Sequence, residues 1–134
     1  MRQRIAGLLF VSLLPLGASA CVVAAAGAGA GGGIYLTSRG VESVVAQPLA
    51  AVSEATERAF EALEIRRTGV EIDDEDDRRV YRGEPIDGGP DVTVTLETED
   101  SGSVKVEVTA RRGPVTWDKD YARTVLERIV SEAS

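Results

Sequence analysis

Apolar and polar positions follow two different periods along this chain, and the change of period divides it into elements. From Asp91 to Glu97 the alternation is strict: Val92, Val94 and Leu96 against Thr93, Thr95 and Glu97. Ser103 to Arg111 repeats it, with Val104, Val106, Val108 and Ala110 against Lys105, Glu107, Thr109 and Arg111. Side chains of a strand point in turn to opposite faces, so both segments are expected as half-buried strands. Glu99-Asp100-Ser101-Gly102 between them predicts a hairpin, and Gly88-Gly89-Pro90 punctuates the approach to it. Shorter strand signals stand at Val41 to Val45, at Ile65 to Ile72 (Val70, Ile72) and at Arg79 to Gly83 (Val80, Tyr81).

Elsewhere the apolar residues recur every three or four positions. Leu49, Val52, Thr56, Ala59, Phe60 and Leu63 form one stripe, with Ser53, Glu54, Glu57, Arg58, Glu61 and Glu64 on the opposite side. That spacing predicts an amphipathic helix, with Pro48 suited to its first turn. Tyr121, Val125, Leu126 and Ile129 predict a second helix, which Asp118 is placed to cap and whose Lys119, Arg123, Glu127 and Arg128 face water. The order is β-α-β-β-β-β-α. Runs of adjacent strands imply an α+β fold, a two-layer sandwich in which an antiparallel sheet of 4–5 strands carries two helices on one face. The other face, with Thr93, Thr95, Glu97, Lys105, Glu107 and Thr109, is expected to be wet.

The amino-terminal residues obey a different grammar. Arg2 and Arg4 give a short basic start, Ile5 to Leu16 is apolar, and Gly17-Ala18-Ser19-Ala20 is small. These are the three parts of a secretory signal. The apolar run is shorter than the roughly 20 residues that cross a bilayer as a helix. Cys21, the one cysteine of the chain, follows at once. Ala18-Ser19-Ala20-Cys21 resembles a bacterial lipobox, although Ala18 replaces the leucine usual there. The resemblance implies cleavage after Ala20 and acylation of the Cys21 thiol by fatty chains such as palmitate. A thiolate is the nucleophile such chemistry needs. The alternatives are an ordinary cleavage site with Cys21 as bystander, or an uncleaved anchor.

Val22 to Gly33 is almost entirely Ala, Gly and Val, and Ile34, Tyr35 and Leu36 extend its apolar character. The segment reads as a flexible tether. Gly27 and Gly31, like Gly29 and Gly33, also have the small-xxx-small spacing of paired membrane helices, which keeps self-association open. The expected organisation is a cleaved signal peptide over 1–20, a lipidated cysteine and tether over 21–40, and a small globular domain over 41–134.

Charge and residue types narrow the chemistry. The chain carries 15 basic and 22 acidic residues, net −7. Without Arg2 and Arg4 the mature chain keeps 13 basic against 22 acidic, net −9. Such a chain is repelled by nucleic acid and by an anionic bilayer, so no nucleic-acid partner is expected and membrane attachment must come from lipid or apolar contact. Histidine is absent, which removes the commonest general base and metal ligand. With a single cysteine there is no intramolecular disulfide and no multi-cysteine zinc site.

Asp73-Asp74-Glu75-Asp76-Asp77 lacks the spacing and glycine of a calcium loop and reads as a solvated hairpin loop, with weak cation binding as the alternative. Lys105 and Lys119 are the only lysines, both in solvent-facing patterns. Arg111-Arg112 could pair with an anionic partner. Trp117 is expected to close one end of the core, with partner anchoring as the sharper reading. No catalytic residue, metal ligand set or cofactor site is assigned.

The stretch Ala-Gly-Ala-Gly-Gly-Gly-Ile-Tyr, the helix Ala55 to Leu63, the doubly alternating hairpin and the ending Arg-Gly-Pro-Val-Thr-Trp-Asp-Lys-Asp-Tyr-Ala-Arg-Thr-Val-Leu-Glu-Arg-Ile together resemble a family of short bacterial lipoproteins, the domain of unknown function three-five-six-eight. Gly113 and Asp118 could fill the family's glycine and acidic places before the last helix. Trp117 and the acidic loop depart from its pattern. The family has no established activity, so the resemblance implies location and architecture only. The expectation is a non-enzymatic cell-envelope lipoprotein, held by its lipid on the periplasmic side of the outer membrane, serving as a binding or structural module for another envelope protein. A glycine-zipper membrane protein and a small carboxylate-dependent hydrolase are the alternatives.

Overall fold

The structure is a computed structural model and describes residues 33–134. The elements are β1 (Tyr35–Leu36), β2 (Gly40–Val45), α1 (Leu49–Ala62), β3 (Ile65–Asp73), β4 (Arg78–Pro85), β5 (Asp91–Thr98), β6 (Val104–Arg111) and α2 (Lys119–Glu132). All strands form one antiparallel sheet in the order β1-β2-β6-β5-β4-β3. The α+β class, the single antiparallel sheet and the two helices agree with the expectation. The strand number does not: the sheet has six strands rather than four or five. The extra one is β1, whose Tyr35 and Leu36 pair with Glu42 and Val41 within the stretch read as tether. Two residues are too few to show a period, so the pairing left no pattern in the sequence.

The strict alternation of β5 and β6 places Val92, Val94, Leu96, Val104, Val106, Val108 and Ala110 on one face, all essentially without solvent exposure. Both helices cover that face: α2 packs on β2 and β6, α1 on β3 and β5, and the helices pack on each other. The α2 stripe of Ala122, Val125, Leu126, Ile129 and Val130 is buried in this layer. A fully buried aliphatic side chain of this kind contributes about 1.5–3 kcal/mol relative to exposure. On the opposite face Thr93, Thr95, Lys105, Glu107 and Thr109 are half-buried among themselves. Thr93 lies directly across from Thr109 and Glu97 from Lys105, cross-strand pairs that favour the register.

One side chain lies on the opposite face from the one expected. Ser53, placed on the water side of α1, is buried, because its hydroxyl donates to the Leu49 carbonyl at 2.8 Å and accepts from Arg79 at 2.8 Å. A small hydroxyl satisfied in this way can face the core. Val70 and Ile72, the alternating apolar residues of the Ile65–Ile72 strand signal, are 37% and 60% exposed. They stand opposite Tyr81 and Arg79 on the helix side of β3, but β3 is the sheet edge and only its Ile65 end enters the core.

Candidate functional site

The most distinctive chemistry among the described residues lies where β6 ends. Arg111 is the last residue of that strand. Five residues of loop later the chain returns, and Trp117 makes an isolated antiparallel bridge to Arg111. The loop is tied down by its own backbone: the Arg112 N–H donates to the Thr116 carbonyl at 2.9 Å, and the Asp118 N–H to the Ala110 carbonyl at 2.8 Å. Arg111 braces the same loop, its Nε donating to the Gly113 carbonyl at 2.8 Å and its Nη2 to the Pro114 carbonyl at 3.0 Å.

The Arg111 guanidinium carbon lies 5.9 Å from the Trp117 ring centroid, and that of Arg39 lies 5.6 Å from it. Arg39 belongs to the β1–β2 turn, which the Thr37 N–H closes onto the Gly40 carbonyl at 2.9 Å. The sheet order sets β1 and β2 beside β6, and so delivers residue 39 to residue 117. Two cations over one indole gain roughly 0.5–1 kcal/mol each at an exposed site. Neither arginine is ion-paired with a carboxylate among the described residues.

Arg112 behaves differently. It binds Asp118 Oδ2 at 2.7 Å, while Oδ1 of the same carboxylate accepts the Tyr121 N–H at 2.9 Å. Asp118 is therefore the N-cap of α2, as its place in the sequence predicted. The Tyr121 backbone bond, more than the Arg112 charge beside it, holds the Asp118 carboxyl below the usual carboxylate range. Burial, and then the charges of Asp87 and Asp118, push the Tyr121 hydroxyl above its ordinary value.

Trp117 does not close the core. It is half-buried and lies outside the buried apolar cluster, against which Tyr121 packs. It instead walls a shallow concavity on the polar side of the sheet with Thr93, Thr109, Arg82, Asp91 and Arg111. Burying an indole requires a partner for its N–H, and the mixed wall of arginines and threonines is a setting in which a half-exposed indole is stable.

The other candidates fall apart spatially. Asp73 to Asp77 form the exposed β3–β4 turn, in which Asp73 Oδ1 accepts the Glu75 and Asp76 N–H groups at 3.1 and 3.3 Å. No group of three or more potential metal ligands converges among the described residues. Lys105 and Lys119 are half-buried in separate elements. The cleavage residues Ala18, Ser19 and Ala20, the lipidation residue Cys21 and the glycines at 27, 29 and 31 lie outside the described residues. No described helix is long and apolar enough to cross a membrane. Arg39 was not foreseen, because nothing local distinguishes it and its partner is 78 positions away in the chain.

The fold and this cluster define a small α+β domain: one six-stranded antiparallel sheet under two helices, with an arginine–tryptophan corner at the end of β6. The chain belongs to the family of proteins of unknown function DUF3568, whose model matches residues 4–132, nearly the whole sequence. No curated protein matches it.

Proposed function

We propose that the chain is a cell-envelope lipoprotein, a non-enzymatic α+β module held to a membrane through Cys21 and serving as a binding or structural element for another envelope protein. The observation that carries this reading is the place of the one cysteine. It falls immediately after a basic start, a twelve-residue apolar run and the small residues Ala18-Ser19-Ala20. The thiol at the cleavage point takes the lipid, and the peptide before it is removed. More than one acyl chain makes such an anchor stable, since each buried CH₂ contributes about 0.8 kcal/mol. The acidic mature chain supports a lipid anchor over electrostatic adhesion. Val22 follows Cys21 where an aspartate can act as an inner-membrane retention signal, which favours the outer membrane.

Membrane fractionation of cells producing the natural chain and Cys21→Ser tests the reading. The natural protein is expected in the membrane pellet and to resist extraction by high salt. The serine variant, with no thiol to acylate, is expected in the aqueous fraction or retained with its leader. Equal membrane association of the two chains, with the serine chain freed of residues 1–20, would overturn the assignment.

A further inference from the structure

We infer that the β1 corner of the domain is a membrane-contact surface, so that the domain lies on the lipid bilayer in one orientation instead of swinging free on its tether. The inference rests on the anchored reading above and adds an orientation to it.

Three of the six exposed large hydrophobic side chains among the described residues lie at this corner, the others being Val70 and Ile72 on β3 and Ile86 after β4. Tyr35 and Leu36 of β1 are 58% and 64% exposed, and Val115 in the β6–α2 loop is 86% exposed. The two segments touch, because Arg39 of the β1–β2 turn lies against the Trp117 ring. The corner therefore presents aliphatic side chains, a half-exposed tryptophan and a tyrosine, and two arginines without carboxylate partners. Tryptophan and tyrosine favour the headgroup level of a bilayer, and arginines bury their stems there while their heads reach the phosphates.

Charge sets the orientation. The net charge of the whole chain opposes contact with an anionic surface, but the densest acidic run is far from this corner. Asp73 to Asp77 adjoin Thr98 at the far end of β5, through the Thr98 N–H to Asp77 carbonyl bond, whereas the backbone of Asp91 at the near end lies across from Arg111 in the strand register. Eight strand residues separate the two ends, about 20–25 Å. With the arginine–tryptophan corner down, the acidic turn is held away by more than the Debye length of about 8 Å at physiological salt.

The connection is also short. Eleven residues, mostly glycine and alanine, lie between Cys21 and Gly33, where β1's approach begins. Even fully extended, the twelve peptide steps from Cys21 to Gly33 reach at most about 40 Å. A domain so confined meets the surface at high effective concentration, so weak individual contacts suffice to orient it.

Trp117 is the one tryptophan in the chain, and Cys21 the one cysteine, which makes the test direct. The mature chain, Cys21 to Ser134, is coupled through its thiol to a maleimide lipid in vesicles of phosphatidylethanolamine and phosphatidylglycerol, with and without brominated acyl chains. Chemical coupling supplies the anchor whether or not cells acylate Cys21, so this result and the fractionation result are independent. Trp117 emission is expected to fall by roughly half in brominated vesicles, as for an indole at the headgroup boundary. A second chain, Trp117→Phe with Ser101→Trp, moves the reporter to the exposed β5–β6 turn at the opposite end and is expected to keep its emission. Leu36→Asp with Val115→Asp, both at exposed positions that spare the core, is expected to cut the Trp117 quenching several-fold. Unquenched Trp117, or equal quenching of the two reporters, would overturn the inference. Insensitivity of the quenching to the double aspartate variant would overturn it as well.

Discussion

Arg79 of β4 reaches from the helix-covered side of the sheet to α1 and donates from Nη1 to the Ser53 hydroxyl at 2.8 Å. Ser53 in turn donates to the Leu49 carbonyl, so the pair links β4 to the start of α1. The Arg79 Nε atom is buried with no hydrogen-bond partner. A buried donor without a partner costs about 1–3 kcal/mol, whereas an apolar replacement for the whole group can be nearly neutral.

Two substitutions at this contact should therefore separate. Ser53→Ala removes the acceptor and strands more of the guanidinium, with an expected loss of about 1–2 kcal/mol. Arg79→Met removes the stranded donor, keeps an unbranched stem against Ile72 and Leu96, and is expected to lie within about 0.5 kcal/mol of the natural chain or above it. Urea unfolding at neutral pH measures both. A larger loss for Arg79→Met than for Ser53→Ala would contradict this account of the contact.

Asp118 gives a stability contribution that depends on pH. Its carboxylate caps α2 and binds Arg112, so its folded pKa lies below the unfolded value of about 4. A carboxyl with a depressed folded pKa contributes stability fully above the unfolded value, and that stability is lost as pH falls through the folded one. Asp118→Ala is expected to cost about 0.5–2 kcal/mol at pH 7. The gap between the two chains should shrink below pH 4 and go on shrinking as the carboxyl protonates. Thermal unfolding across that range checks the slope.

Gly40 has no room for a side chain. A Cβ there would collide with the Val108 carbonyl of β6, which is backbone and cannot move aside. Gly83 is also tight, its added Cβ coming within 2.5 Å of Ile65 Cγ2, 2.9 Å of Phe60 Cε2 and 3.1 Å of the Arg66 carbonyl oxygen, but its two shortest contacts are with side chains and not with backbone. Gly40→Ala is expected to destabilise by about 2 kcal/mol or more and Gly83→Ala by less, within the 1–3 kcal/mol typical of overpacking. Chemical denaturation of the two variants ranks them.

The β6–α2 loop should loosen without unfolding the domain when Arg111 loses its forked grip. Arg111→Lys keeps the charge but not the two simultaneous bonds to Gly113 and Pro114. Trp117, the sole indole, reports the change: acrylamide should reach it more readily, while the unfolding free energy moves by less than about 1 kcal/mol. Unchanged quenching would show that the loop backbone alone holds the site.

What the sequence made legible follows how local each signal is. β5, β6 and both helices announce themselves because a single face decides every position, and Asp118 is readable as a cap from its place before α2. Ser53 was misplaced because a hydroxyl looks polar until its two partners are known. Val70 and Ile72 look buried until β3 is found at the edge. The corner of Arg39, Trp117 and Arg111 depends wholly on strand order. Nothing near residue 39 or residue 117 records that β2 lies beside β6.

The central claim concerns the sulfur of Cys21. Intact-mass analysis of the protein recovered from a membrane fraction tests it most directly, because one number reports both processing and modification. The account predicts a chain that begins at Cys21 and carries the added mass of fatty acyl chains. A mass that includes residues 1–20, or one that begins at Cys21 with no lipid attached, would contradict it.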